Sequence, residues 1–355
     1  MKIGILTFSK EDNFGANLQC FALTKFLQDL GHDVEIIDIQ LSKRRNFKKW
    51  LSWLLFRKFI ADLKFRMFWR NKRYSFTKRY KTPLELKKNP PICDIYIVGS
   101  DQVWNPDITQ KLDPLVYFFS FLQGKEKRIS YAASFGTDVW EHSEIKTAVC
   151  TLLQKFSAIS VREKEGIDIC KRTFNLPAEE VLDPTQIMLN YDEICGVFDN
   201  TKKSKYIMYF KQIHSQKVEK VVNDFAHQRS FTTIEFKRQK RSICDKSLLN
   251  PSVSDFLNCI RYANFVVTDS FHCLSFCLIY HIPFVVIYDF KGRSNRITTI
   301  LSKIGLAHRI CWSLEELVQR LPLLYDEYID FDLVDEKLNQ YRKKSRQFLL
   351  SALKS

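Results

Sequence analysis

Short apolar segments alternate with segments of helical periodicity along most of the chain. The first apolar segment, Lys2–Phe8, is continuous, and the helical pattern Leu18–Leu30 that follows it ends at Gly31. Val34–Ile39 is the next apolar segment and completes a strand–helix–strand unit. Apolar strands that alternate with helices are typical of a parallel sheet covered on both faces, and glycine suits the left-handed residue that follows a helix. The pattern therefore predicts a parallel α/β fold.

The alternation continues in two series, separated by a polar stretch at Asp199–Ser204 that we interpret as a linker. The first series adds strands at Ile95–Val98, Ser130–Ala133, Ala158–Val161 and Val181–Leu182. The second has strands at Tyr206–Phe210, Thr232–Phe236, Phe265–Thr268 and Pro283–Tyr288, and helices at Val218–Gln228, Ser254–Arg261, Leu274–Tyr280, Ile297–Ile304 and from Ser313 onward.

A chain of 355 residues favours two domains over one. We predict an α/β protein of two Rossmann-like domains that face each other across a cleft, a GT-B-like architecture, with domains at 1–200 and 201–355. The terminal helices could return to the first domain. Neither half contains a GxGxxG fingerprint, so dinucleotide binding has no positive support.

The net charge of +15 is concentrated in one segment. Between Lys43 and Lys81 fifteen Lys or Arg stand against one acid, Asp62, and they alternate with Trp and Phe, which predicts a basic aromatic helical insertion in the first domain. Such a segment suits a helix at an anionic membrane surface. RNA binding is the competing functional interpretation. The structural interpretation is a helical segment that packs its apolar side on the domain and leaves its basic side exposed to solvent.

Several other classes of protein have little support. No apolar run reaches the roughly 18 residues of a membrane span, and the first residues read as a buried strand instead of a signal peptide. The ten cysteines contain no CxxC pair, so we expect buried thiols and no metal site or cofactor. We expect a cytoplasmic protein, peripheral at the inner face of the cell membrane if the insertion binds lipid.

Polar side chains follow the predicted strands of the first series, where ligands of open α/β sheets bind. After the first strand come Asn13, Gly15, Asn17 and Gln19, which could present amides at a helix start or form an ordinary capped turn. The turn after Ile95–Val98 and the turn after Ser130–Ala133 contribute Ser100, Asp101, Gln102, Trp104 and Ser134. An aromatic ring among amides and a carboxylate is typical of a sugar site, and a buried polar turn is the alternative.

The second series has its strongest polar cluster in Thr268–His272, directly after an apolar strand. The helix that opens there offers free N–H groups to an anion. We interpret Asp269 as an N-cap or as the partner that orients His272, which suits proton transfer. Lys211 ends another strand, and Arg293 and Arg296 precede a helix, so these cations could surround a small anion.

The motifs DNFGANLQ, GSDQVWN, YAASFG, SVRE, LDPT, TDSFH followed by PFVV, and RITTIL together resemble the polysaccharide pyruvyltransferase family, from residue 1 to about residue 305. The resemblance implies a GT-B-like enzyme that transfers the enolpyruvyl unit of phosphoenolpyruvate to a sugar. A cyclic ketal forms and phosphate leaves. The expected acceptors are capsule or exopolysaccharide precursors, often lipid-linked.

On this resemblance His272 is the catalytic acid, with Asp101 and Asp269 in supporting catalytic roles. The residues expected to bind the donor are Lys211, Ser270, Phe271, Arg293 and Arg296. The residues expected to bind the acceptor are Asn13, Gly15, Asn17, Gln19, Ser100, Gln102, Trp104 and Ser134. Other members often carry Arg two residues before the motif histidine, where this chain has Ser270. A GT-B glycosyltransferase that uses a nucleotide sugar, and a non-catalytic membrane-surface or RNA-binding protein, are the alternatives.

Overall fold

The computed structural model describes residues 1–10, 12–39, 63–70, 74–109, 113–199, 205–237, 242–288 and 295–354. These residues divide into two compact units. Unit 1 contains the described residues within 1–39, 66–188 and 340–354, and unit 2 contains those within 63–65 and 189–339. Most of the predicted linker and the predicted donor residue Arg293 lie outside the described residues.

Unit 1 is built on a seven-stranded parallel sheet in the order β3-β2-β1-β4-β5-β6-β7. The central strands are buried along their length because helices cover both faces, which explains their continuous apolar sequences. The strands are β1 Lys2–Leu6, β2 Asp33–Ile36, β3 Ser75–Phe76, β4 Ile95–Val98, β5 Lys127–Ala133, β6 Ala158–Val161 and β7 Glu179–Glu180.

The helices of unit 1 follow its strands as the periodicity predicts. The first begins at Phe14 with Asn13 as its N-cap, and Gly31 beyond its end has a φ of +83°. The helices are α1 Phe14–Asp29, α2 (described over 63–68), α3 Pro83–Lys88, α4 Pro106–Thr109, α5 Ser143–Leu153, α6 Lys164–Phe174 and α7 Pro184–Ile187, with a 3-10 helix at Pro114–Phe118.

Unit 2 is built on a six-stranded parallel sheet in the order β10-β9-β8-β11-β12-β13. Its strands are β8 Tyr206–Phe210, β9 Thr232–Lys237, β10 Lys246–Leu249, β11 Phe265–Thr268, β12 Phe284–Ile287 and β13 Ile310–Cys311. Its helices are α8 Asp192–Cys195, α9 Gln216–Gln228, α10 Val253–Arg261, α11 Phe271–Tyr280, α12 Asn295–Ile304 and α13 Leu314–Asp326, with a 3-10 helix at Ala307–Arg309.

Helix α14, Phe331–Lys354, begins in unit 2 and ends in unit 1. Within unit 1 its side chains bond with the segment around α7. Leu182 N donates to Ser345 Oγ at 2.8 Å, and Arg342 Nε donates to Gln186 O at 3.1 Å. Ser345 and Arg342 are both buried, so this part of the helix belongs to the core of unit 1.

The prediction of an α/β fold with two Rossmann-like domains is confirmed, because each unit is a parallel sheet with interleaved helices. The predicted helices start late by a few residues. Helix α1 begins at Phe14 instead of Leu18, and α11 begins at Phe271 instead of Leu274. The first turns of both helices mix apolar, small and polar residues without a clear period, so the sequence pattern misses them.

The basic aromatic insertion is described only in part, since residues 40–62 and 71–73 lie outside the described ranges. In the described part, Trp69 is buried and donates from Nε1 to Asn17 Oδ1 at 2.7 Å. Its ring meets those of Tyr74 and Phe76 edge-on, with centroids 5.5 and 5.2 Å away. Trp69 therefore fits the packed interpretation of this segment.

Among the described helices, none combines the length and the apolar character that a membrane crossing requires.

Candidate active site

Both sheets have a topological switch point, where the strand order reverses on either side of the first strand of the unit. In unit 1 the switch lies between β1 and β4, and in unit 2 it lies between β8 and β11. Ligands of open α/β sheets bind beyond the carboxyl ends of the strands at such points. The polar clusters singled out in the sequence follow these four strands.

In unit 1 the ends of β1 and β4 are joined by the buried side chains of Thr7 and Gln19, which bond to the backbone of Ser100. Gln19 Nε2 donates to Thr7 Oγ1 at 2.8 Å, and Gln19 Oε1 accepts from Ser100 N at 3.0 Å. Thr7 Oγ1 donates in turn to Ser100 O at 2.9 Å. The polar groups of Gln19 and Ser100 are hydrogen-bonded inside unit 1. These residues therefore shape the turn after β4 and do not present an acceptor site to solvent. The prediction that they contact the acceptor is corrected accordingly.

Behind Ser100 lies a buried ionic group, which we call the Arg162 network: Ser100, Asp101, Arg162, Glu163 and Asp183. Arg162 donates from Nη1 to Asp183 Oδ2 at 2.9 Å and from Nε to Glu163 Oε1 at 3.0 Å. Its Nη2 lies 3.4 Å from Asp101 Oδ1. Ser100 Oγ also donates to Asp183 Oδ2, at 2.9 Å. One guanidinium thus joins the turns after β4, β6 and β7.

The electrostatics of the Arg162 network depend on this one cation. Burial by itself would lower the pKa of Arg162, but the carboxylates of Glu163, Asp101 and Asp183 outweigh it and raise the pKa above its ordinary value. Arg162 therefore stays charged and neutralises part of a carboxylate-rich interior.

Asp101 lies at the outer edge of the network. Its backbone is left-handed, with a φ of +75°, and its side chain keeps 13% of its surface exposed. Gln102 N donates to Asp101 Oδ1 at 2.9 Å, while Ser134 N donates to Asp101 O at 2.9 Å. Asp101 is therefore held through both its side chain and its backbone, and part of its carboxylate stays exposed.

The neighbouring loop approaches Gln102 closely. Gly136 has a φ of +70°, and a Cβ added there would lie 2.5 Å from Gln102 Oε1. Only glycine fits this position without displacing the amide. Ser134 is buried and its Oγ accepts from Gly136 N at 3.1 Å, so Ser134 fixes this loop and does not face an acceptor. The acceptor role predicted for Ser134 is corrected to a structural one.

Trp104 is a core residue. Its exposed fraction is 0%, its Nε1 donates to Tyr117 O at 3.0 Å, and its ring stacks on Phe118 with centroids 5.4 Å apart. Phe135 and Phe156 also contact the ring, at centroid distances of 5.2 and 5.9 Å. The prediction that Trp104 stacks on a sugar is therefore wrong. An indole surrounded by aromatic side chains is not available to a ligand.

The start of α1 combines one exposed residue with two buried ones. Asn13 is exposed and caps the helix by accepting from Ala16 N at 3.2 Å, and Gly15 is buried in the first turn. Asn17 is fully buried, and its Oδ1 accepts from Trp69 Nε1. Asn17 thus links α1 to the insertion, which corrects its predicted acceptor role. Of the predicted acceptor residues, Asn13 and Gln102 keep side chains outside the buried class.

In unit 2 the register of two strands brings a cation and a carboxylate together. Phe210 of β8 pairs with Thr268 of β11, so Lys211 and Asp269 follow at the same sheet edge. Lys211 Nζ lies 3.7 Å from Asp269 Oδ2, and the two side chains are 0% and 1% exposed. Lys211 is thus partly neutralised before any ligand arrives, which the sequence did not indicate.

Asp269 also anchors the loop after β8. Gln212 N donates to Asp269 Oδ1 at 2.7 Å, and Ile213 N lies 3.4 Å from Oδ2. Burial raises the pKa of Asp269 above its ordinary value, although these N–H groups and Lys211 oppose the shift. The N-cap of α11 is Ser270, whose Oγ accepts from Cys273 N at 3.4 Å. The interpretation of Asp269 as the N-cap is therefore wrong.

His272 lies in the first turn of α11 and is 6% exposed. The Phe271 ring meets its imidazole edge-on, with centroids 5.3 Å apart. The guanidinium of Arg296, at the start of α12, lies 6.0 Å from the Phe271 ring centroid. The fold therefore brings Arg296 towards the start of α11, as predicted, and Arg293 lies outside the described residues. We call Lys211, Asp269, Ser270, Phe271, His272 and Arg296 the His272 cluster.

Two residues that organise unit 1 were not among the predicted site residues. Arg162 stands in the motif SVRE, where the sequence favours a structural pair with Glu163, and the structure shows that pair; Asp183 stands in LDPT, which was expected to end the domain. A buried position after an apolar strand is the signal that both share. Their pairing with Asp101 depends on tertiary contacts across the sheet.

The family model for polysaccharide pyruvyl transferases matches residues 13–289, well over half of the chain. The chain belongs to the polysaccharide pyruvyl transferase family. The match covers both strand-end clusters apart from Arg296, and the family assignment makes the protein a transferase of polysaccharide synthesis. No relative was found among curated protein sequences.

Solved structures of GT-B type share the fold over nearly the whole chain. A putative UDP-N-acetylglucosamine 2-epimerase from Listeria monocytogenes has a TM-score of 0.57 at 12% identity, covering 100% of this chain and 96% of that one. UGT89C1 of Arabidopsis thaliana has a TM-score of 0.56 at 11% identity, with 97% and 94% covered. The UDP-GlcNAc 2-epimerase of Neisseria meningitidis, bound to UDP-GlcNAc, has 0.54 at 9%, with 99% and 100% covered. At these identities the likeness concerns the fold alone.

Proposed function

We propose that this polysaccharide pyruvyl transferase uses phosphoenolpyruvate to form a cyclic pyruvate ketal on a sugar of a polysaccharide or lipid-linked precursor, and releases phosphate. The observation that carries the proposal is the His272 cluster at the switch point of unit 2. It combines a histidine in the first turn of a helix with two cations, Lys211 and Arg296. The family assignment supports pyruvyl transfer as the reaction class.

Phosphoenolpyruvate carries a carboxylate and a phosphate group on the same carbon, and both need cationic or N–H partners. The first turn of α11 supplies N–H groups and the positive end of the helix dipole. Arg296 supplies a planar guanidinium whose two N–H edges match a carboxylate. Its position beside Phe271 supports the view that it replaces the arginine that other members often carry at the position of Ser270.

His272 acts as the acid in the proposed reaction. Its proton goes to the methylene carbon of phosphoenolpyruvate, and the adjacent carbon becomes an oxocarbenium-like centre. One sugar hydroxyl attacks that carbon, and a second closes the ketal as the C–O bond to phosphate breaks. Of the two hydroxyl protons, one is taken by Asp101 and released to solvent, from which His272 is reprotonated, and the other leaves with phosphate. The donor site supplies charge stabilisation and proton transfer, the two contributions this chemistry needs.

The acceptor is assigned to unit 1, where Asn13, Asp101 and Gln102 keep polar surface outside the core. Asp101 is the proposed base for the attacking hydroxyl, held in place by Arg162. The remaining predicted acceptor residues support these three from within. A lipid-linked sugar and peripheral membrane association through 43–81 remain part of the proposal.

The test is phosphorus NMR of the purified protein with phosphoenolpyruvate and a set of p-nitrophenyl hexosides or lipid-linked sugars. Acceptor-dependent phosphate release is expected for the wild type. His272→Ala should slow it by at least about 100-fold, the usual contribution of a general acid. His281→Ala is the matched control, because His281 lies at the other end of α11, exposed and paired with Asp335.

The proposal fails if phosphoenolpyruvate neither binds nor reacts with any acceptor, or if His272→Ala keeps wild-type turnover. Ser270 favours a second candidate, since its hydroxyl caps the helix where a guanidinium is usual. That candidate is a glycosyltransferase that uses a nucleotide sugar. Saturable binding of a UDP-, GDP- or CMP-sugar by a protein that does not bind phosphoenolpyruvate would establish it in place of pyruvyl transfer.

A further inference from the structure

Three side chains of unit 2 that the proposed reaction does not use converge beside the first strand of that unit. His214 lies in the loop after β8, Glu219 in the first turn of α9, and Glu235 in β9. One nitrogen or oxygen atom from each lies within 4.8 Å of the others. They are five and sixteen residues apart in a chain with no recognised metal motif at that place. Their spacing in the sequence therefore gives no indication that they lie close together.

The two carboxylates are deeply buried. Glu219 is 0% exposed and Glu235 is 5% exposed. Within the described residues neither forms an ion pair with Lys or Arg, and the nearest basic side chain is the imidazole of His214, whose Nε2 lies 3.6 Å from Glu219 Oε2. Burying two carboxylates side by side without a compensating cation is costly. The arrangement calls for a positive charge between them.

The hydrogen bonds of Glu219 show where such a charge would lie. Its Oε1 accepts from Ser242 Oγ at 2.7 Å, Ile243 N at 2.7 Å and Cys244 N at 3.3 Å. Its Oε2 is buried and accepts no hydrogen bond, although it points towards His214. One oxygen is thus fixed by the protein, and the other is directed into the cluster with its lone pairs available.

We propose that His214, Glu219 and Glu235 bind a divalent transition-metal ion such as Zn²⁺ or Mn²⁺. An imidazole nitrogen with two carboxylate oxygens suits these ions, whereas Mg²⁺ and Ca²⁺ prefer oxygen ligands alone. Ligand atoms about 2.0–2.2 Å from a tetrahedral ion lie roughly 3.3–3.6 Å from one another. The separation of 3.6 Å between His214 Nε2 and Glu219 Oε2 already meets this condition.

The ion can enter from solvent, because the side chain of His214 is 46% exposed. Its site lies on the same loop that Asp269 anchors, since Gln212 N donates to Asp269 Oδ1. The ion would thus hold the His214 end of the loop while Asp269 holds the other. It acts as a structural ion that fixes the loop next to Lys211, and the proposal does not depend on which donor the enzyme uses.

The first experiment is isothermal titration of the full-length, chelator-treated protein with ZnCl₂, and electron paramagnetic resonance with MnCl₂. One equivalent should bind. His214→Ala and Glu219→Gln should each weaken binding by at least about tenfold, since even residues outside the coordination sphere cost that much. His227→Ala is the matched control, because His227 forms an exposed pair with Asp245 at 2.8 Å in the same unit. It should leave the affinity unchanged.

A second measurement separates the metal from a proton shared by the two glutamates. In chelator, Glu219→Gln should melt at a higher temperature than the wild type, because it removes one of two adjacent buried charges. In excess Zn²⁺ the order should reverse, because the wild type gains binding energy that the variant lacks. The proposal is overturned if no ion binds, if both variants bind like the wild type, or if Glu219→Gln melts higher under both conditions.

Discussion

The two sheets carry polar clusters of different charge at equivalent switch points. In the Arg162 network one guanidinium faces three carboxylates, all buried or nearly so. In the His272 cluster the buried carboxylate of Asp269 is already paired with Lys211, and Arg296 and His272 lie nearby. An anionic donor is repelled by the first arrangement and attracted by the second. The contrast supports the assignment of phosphoenolpyruvate to unit 2.

The two clusters also differ in how much of the fold depends on one side chain. Arg162 joins three turns of unit 1, whereas the loop after β8 in unit 2 is held by backbone N–H groups bonded to Asp269. Removal of the cation should therefore affect folding in unit 1 more than in unit 2, which the following substitutions measure.

The largest effect is expected from Arg162→Met. This variant leaves three buried carboxylates without their cation and should lose about 3–5 kcal/mol of unfolding free energy in urea titrations. Arg172→Met is the control, because Arg172 is 79% exposed and lies 3.6 Å from Asp168 on the same helix. It should change stability by less than about 0.5 kcal/mol. Equal losses in the two variants would contradict the central role of Arg162.

A smaller loss of stability, about 1–2 kcal/mol, is expected from Lys211→Met, because Asp269 keeps the two N–H groups that already bond to it. Its main effect should be on the donor, with the dissociation constant of phosphoenolpyruvate raised about tenfold by loss of a nearby charge. Lys217→Met, at an exposed position of α9, is the control. Unchanged donor affinity in Lys211→Met would remove Lys211 from the donor site.

The smallest effect concerns pH. The pKa of Asp269 is raised in the folded state. The stability that Asp269 contributes is therefore fully present below its ordinary pKa near 4 and is lost as the pH rises through the pKa of the folded state. The stability difference between the wild type and Asp269→Asn should therefore fall between acidic and neutral pH in urea titrations.

Asp245 serves as a comparison, because its pKa is shifted in the opposite direction. Burial acts to raise the pKa of Asp245, but hydrogen bonds from Thr233 and His227 outweigh it and lower the pKa. The stability difference for Asp245→Asn should therefore be present above the ordinary pKa and fall as pH falls. Parallel trends in the two variants would show that Asp269 is not held in the way described.

Most of the central strands could be predicted from the sequence, because continuous apolar segments indicate strands that are buried on both faces. The short edge strands β3, β10 and β13 were missed, and β3 lies inside the segment 43–81 that was predicted to be a helical insertion. Lys246–Leu249 is only partly buried, and Ile310–Cys311 is too short to show a period.

The direction of side chains at the strand ends could not be predicted in the same way. The sequence pattern around an aromatic residue in a polar turn is the same whether its ring points towards solvent or into the core. The ring of Trp104 points into the core. The ion pairs of Arg162 and of Lys211 depend on strand order and register. A sequence without an alignment contains neither.

Helix α14 has a consequence for the order in which the chain folds during synthesis. Residues 340–354 belong to unit 1, yet the ribosome makes all of unit 2 from Leu189 to Asn339 before it reaches them. Until then Leu182 N lacks Ser345 Oγ, and the segment around α7 is left uncovered. Domains usually fold as they emerge, N-terminal first. Unit 1 of this enzyme therefore completes its fold only after residues 340–354 have been made. In nascent chains, unit 1 should still be sensitive to protease after unit 2 has become resistant.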